Sequence, residues 1–118
     1  MTRLEFENFT LSTLAAAQVG LKAYLWGTIP QNVAHPHVTL FVVSDSAFNA
    51  SDEEVVSIMR VQVDVWHPTS QASLEELYEL VRNKLLEAGF ARLVAGHPNP
   101  DGPFWRIRSE WSYTRPVR

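Results

Sequence analysis

The sequence contains no cysteine. That excludes disulfides, thiol nucleophiles and cysteine-type zinc sites, and it leaves the redox compartment open. No apolar run approaches the ~20 residues that cross a bilayer. The opening MTRLEFENFT lacks the continuous apolar stretch of a secretory signal. The expectation is a soluble chain made in the cytoplasm. An excess of basic charge is also missing: ten Lys and Arg face thirteen Asp and Glu, for a net charge of -3. Binding to duplex nucleic acid normally rests on a basic footprint, and none is present. No phosphate-cradling loop, paired-carboxylate cleft or Ser/His/Asp context can be read, and no internal repeat or linker divides the chain.

What is present fits one domain over residues 1–118, with 46% hydrophobic and 19% charged residues. TLSTLAAAQ (10–18) suggests a short helix, capped near Thr10 or Ser12 and stopped by Gly20. A connector broken by Gly27, Pro30 and Pro36 follows, in which KAYLW can pair as a short strand. His37–Val43 reads as a strand, residues 44–56 as a long acidic loop, and 58–66 as a returning strand. The loop, poor in apolar residues, is expected to be mobile in the free subunit.

Residues 71–88 give the clearest helix. Leu74, Leu77, Tyr78, Val81, Leu85 and Ala88 recur at spacings of three and four. Ser73-x-x-Glu76 is a candidate capping box, with Ser70 or Thr69 as competing starts, and Gly89 sits where a left-handed cap belongs. Val63 and Val65 are expected against Leu77, Val81 and Leu85. Residues 90–95 read as a strand, 97–103 as a turn and 104–114 as the last strand. The fold class is α+β in two layers, ordered α-β-β-α-β-β. Its mainly antiparallel four-stranded sheet is packed by one long helix and a short N-terminal helix.

Two His-x-Thr tripeptides, His37-Val38-Thr39 and His67-Pro68-Thr69, resemble the motif pair of the 2H phosphoesterases. There two histidines act as general acid and base, and the hydroxyls hold phosphate. This is the alternative function. Pro68 ends a strand rather than continuing it, and the second lobe of that family is missing. A metal site from His35, His37, His67 and His97 lacks partner carboxylates at ligand spacing, so no metal or cofactor is expected. Trp66 is more informative, because it shares the polar side of its strand with Arg60, Gln62 and Asp64. An exposed Trp there marks a protein contact. Arg106, Arg108 and Glu110 form a similar polar side on the last strand. With Asp45, Asp52, Glu53 and Glu54 of the acidic loop, these are the candidate interface residues.

Taken together, the connector into HVTLFVV, the long loop, RVQVDVWHP, the helix SLEELYELVRNKLLEAGF and the closing WSYT carry a wider resemblance. The chain resembles the tail-completion or tail-to-head-joining proteins of long-tailed bacteriophages and prophages, which are similar in fold to phage tail terminators. The resemblance implies a non-enzymatic virion assembly protein at the head-proximal end of the tail. It implies a ring of copies, as a hexamer, that contacts the tail tube protein and the head connector protein. DNA would pass through that ring without specific binding, and no membrane is involved. A small α+β ligand-binding module is the third reading.

Overall fold

The computed structural model describes residues 3–29, 35–50, 53–68 and 70–116, apart from the side chains of 44–50, 53–57 and 115–116. Its elements are α1 (Arg3–Ala15), β1 (Lys22–Leu25), β2 (His37–Ala50), β3 (Glu53–His67), α2 (Gln71–Glu87), β4 (Ala91–Val94), β5 (Pro98–Asp101) and β6 (Phe104–Pro116). The strands form one six-stranded mixed sheet in the order β1-β2-β3-β6-β4, with β5 also on β6. The α+β class holds. The four-stranded sheet is corrected to six strands, of which β1 and β2 run parallel.

Alternation along β2, β3 and β6 gives the sheet one apolar face. Val38, Leu40, Val42, Met59, Val61, Val63, Val65, Ile107 and Trp111 are buried there. The register stacks them in rows such as Leu40–Val63–Ser109 and Val42–Val61–Trp111. Both helices cover this face. From α2 come Leu74, Leu77, Val81 and Leu85, and from α1 Phe6 and Leu14.

The ends of α2 follow from its sequence. Ser70 is the N-cap, its hydroxyl accepting the Ser73 N–H at 3.1 Å, so the helix begins three residues before the Ser73 box. At the other end the Phe90 N–H donates to Leu85 O and the Gly89 N–H to Leu86 O. Gly89 has φ 102. This is a Schellman cap, and it turns the chain directly into β4. The first helix starts earlier than Thr10. Thr10 does not cap it, because its hydroxyl donates to Phe6 O one turn back while the residue lies buried.

Two further expectations are corrected. Residues 44–50 and 53–56 are not a loop: β2 and β3 stay paired out to Ala50 opposite Glu53, with irregularities at Val42/Ser44 and Phe48/Asn49. Strands of this length span about 50 Å, and the molecule is 52 × 26 × 24 Å. The expected turn at 97–103 narrows to Gly102-Pro103, flanked by β5 paired with β6 from Asp101–Phe104 to Pro98–Ile107.

Candidate functional site

Among the described residues, no helix covers the second face of the sheet. Cross-strand register places His37, Trp66 and Arg106 in one row, Thr39, Asp64 and Arg108 in the next, and Phe41, Gln62 and Glu110 in a third. Arg60 pairs with Glu110 at 3.2 Å. Arg108 donates twice to Asp64, at 3.1 and 3.3 Å. Asp64 is 1% exposed while the Arg108 side chain is 48% exposed, so a buried carboxylate is neutralised by a cation reaching it from the solvent side. Arg106 pairs with Asp101 at 3.3 Å and lies over the Trp66 ring, 5.4 Å from its centroid.

An aromatic cluster fills the end of this face nearest β1. Trp66 stacks on His37, with centroids 5.7 Å apart and planes 4° apart, and Phe104 closes on both edgewise. Tyr24 meets His37 from β1. The Trp66 indole N–H donates to the Thr39 hydroxyl at 3.1 Å, so the polar atom of a half-buried ring is satisfied inside the fold. His37 is itself buried, and its Nδ1–H donates to His35 O at 2.9 Å. Burial lowers the His37 pKa. The His35 backbone hydrogen bond opposes that shift, and the His35 charge adds to it.

A model of the family described as tail completion protein gp17 matches residues 10–105 of the chain. The chain belongs to the tail completion protein gp17 family. No curated protein sequence matches significantly. Among solved structures, bacteriophage SPP1 gp17 protein is similar at TM-score 0.53 and 16% identity, covering 93% of this chain and 89% of its own. Another solved structure, without a functional description, matches at TM-score 0.57 and 16% identity over 98% of this chain and 93% of its own. At that identity the likenesses speak for the fold, and family membership makes this a protein of phage tail assembly.

In this gp17-family chain, the two groups of candidate interface residues come together. Arg60, Gln62, Asp64 and Trp66 sit beside Arg106, Arg108 and Glu110 on one continuous patch. The acidic group lies further out. Asp45 is on β2 opposite Met59, and Glu53 and Glu54 are on β3 opposite Ala50 and Asn49. Their side chains, and Asp52 altogether, lie outside the described residues. Four partners of the patch escaped the sequence reading: Tyr24, Thr39, Phe104 and Asp101. Period-two counting from His37 would have put Thr39 opposite Asp64, whereas β1 and the β5 hairpin join through pairings with no local signal.

His37 and His67 do not form a pair. His37 stacks on Trp66, which marks the open face, and the next residue, His67, falls on the opposite side of β3. There His67 lines a small depression with Ser73 and Leu77 of α2. Thr69 is outside the described residues. Among the described residues the two histidines of the 2H motif therefore share no site. Among the described residues, no group of three or more His, Asp or Glu could hold a metal ion. No described helix is long and apolar enough to cross a membrane.

Proposed function

We propose that this protein completes the phage tail at its head-proximal end and joins it to the head connector, acting as a ring of identical copies. The observation that supports this reading is the open face itself. Its ion pairs and ring stack lie across a sheet surface rather than in a cleft, which suits contact with another protein. The partners would be neighbouring copies, with a hexamer expected, together with the tail tube protein on one side and the connector on the other. DNA would pass through the ring without specific binding, and the working protein would be part of the virion.

In dilute solution a monomer or weak oligomer is expected, with the tail end templating the ring. The test is an assembly assay on tails lacking this protein. Added parent protein should give tails of fixed length that join heads. The double variant Trp66→Ala, Arg60→Glu, verified as folded by its melting transition, should fail to complete them. Normal completion by that variant would remove the open face from the contact. A parent protein that never associates with tails would overturn the proposal.

A further inference from the structure

A subunit repeated about a rotation axis needs two different surfaces that fit one another. The charged residues of the open face form a single patch, so a complementary pair has to come from elsewhere. The sheet supplies two unlike edges.

On one edge, β1 covers only the start of β2. Its pairing ends at Leu40, where the Trp26 N–H donates to Leu40 O at 2.8 Å. Gly27, with φ 92, then turns the chain. Among the described residues, no strand pairs the outer edge of β2 from Phe41 to Ala50. Phe41, Val43 and Trp26 stand roughly half exposed beside it.

On the opposite edge β4 is the last strand. All four of its residues are exposed, including Leu93 and Val94. Its neighbour β5 is closed to further pairing. The two-residue loop Gly102-Pro103 makes Asp101–Phe104 a hydrogen-bonded pair, so Asn99–Arg106 is the next one. Pro98 and Pro100 then occupy the positions whose N–H would point outward. Proline is a common device for blunting a strand edge. β5 carries it twice, and β4 and the open stretch of β2 carry none.

Direction and charge also agree. β2 and β6 both run antiparallel to β3, and β4 runs antiparallel to β6. A β4 strand placed beside the β2 of a like-oriented neighbour is therefore antiparallel to it, the better-bonded arrangement. The open stretch of β2 carries Asp45 and no Lys or Arg, and β3 beside it begins with Glu53 and Glu54. β4 carries Arg92, and β6 beyond Glu110 carries Arg115 and no acid. Opposite signs on the two edges favour pairing of unlike edges over like ones.

We propose that β4 of one copy adds to the open β2 edge of the next, so that one antiparallel sheet passes from subunit to subunit. The partner is a second copy of this chain, and the inference rests on the ring reading above. The absence of native cysteine makes the test clean. Val43→Cys is combined in turn with Arg92→Cys, Leu93→Cys or Val94→Cys, which scans the register. The variants are loaded onto tails lacking the protein and oxidised. At least one pair should give a ladder of covalent oligomers on a denaturing gel, ending at the closed ring. The single variants should stay monomeric. Rings seen on tails by electron microscopy, with no double variant linking, would overturn the edge pairing and leave the tail-completion reading standing. Single variants that link to dimers would overturn the head-to-tail arrangement. If parent protein forms no ring on tails at all, both fall together.

Discussion

Asp64 shows how much one position on the open face depends on its neighbour. Its carboxylate is buried, and Arg108 gives it two hydrogen bonds. Arg108→Ala leaves that charge without its cation, and loss of charge-assisted bonds should lower stability by roughly 2 kcal/mol in chemical denaturation. Adding Asp64→Asn to the same chain should recover part of the loss, because the unpaired buried charge is then gone. No recovery would mean that the guanidinium acts by packing alone. His37 behaves differently. Burial holds its pKa below the ordinary 6.5, so the fold favours the neutral ring. Above about pH 6.5 the ring is neutral in both folded and unfolded chains, and its contribution is complete. As pH falls below that value the unfolded chain takes the proton first, and stability drops until the folded pKa is passed. His35 adjoins the ring and adds to the effect. Melting temperatures measured from pH 7.5 down to 5 should therefore decline more steeply for the parent than for His37→Gln.

Among the elements, the crossing from β4 to β5 is the tightest. A Cβ on Gly96 would lie 1.9 Å from Arg108 O and 2.7 Å from Ile107 Cγ2, so only glycine lets the chain pass β6 this closely. Gly96→Ala should cost about 1–3 kcal/mol by overpacking and raise amide exchange in β5 selectively. Uniform exchange across the sheet would show that the crossing relaxes without loss. The helices and strands differed in how plainly their residues announced them. β3 and α2 were legible because Val61, Val63 and Val65 alternate and Leu74, Leu77, Val81 and Leu85 keep a helical stripe, with Gly89 marking the stop. The first turns of α1 were not, because Thr10 looks like a cap until Phe6 O is found to accept its hydroxyl. Nor was the outer half of the β2–β3 hairpin. Ser, Asp and Asn are weak strand formers, and cross-strand pairing decides the structure there. The charged side of the open face could be read by counting in twos. Its joining into one patch with Asp101, Tyr24 and Phe104 is a product of topology.

The whole molecule is twice as long as it is wide. Val42 and Met59 belong to the buried core, and the backbone pairing of β2 with β3 continues from there to Ala50 opposite Glu53. The bookkeeping of charge on the open face has a consequence for any polyanion that slides over it. Arg60, Arg106 and Arg108 are each matched by one carboxylate: Glu110, Asp101 and Asp64. Nucleic acid gains affinity chiefly when free protein cations neutralise its phosphates and release the condensed counterions into solution. Here the cations are already engaged, so a surface rich in arginine should behave as one without grip. DNA retention by the parent protein should be negligible near 0.1 M salt and insensitive to further salt. The triple variant Glu110→Gln, Asp101→Asn, Asp64→Asn, if it folds, should bind DNA with a steep salt dependence. Equal retention by the two proteins would show that pairing is not what keeps this face slippery.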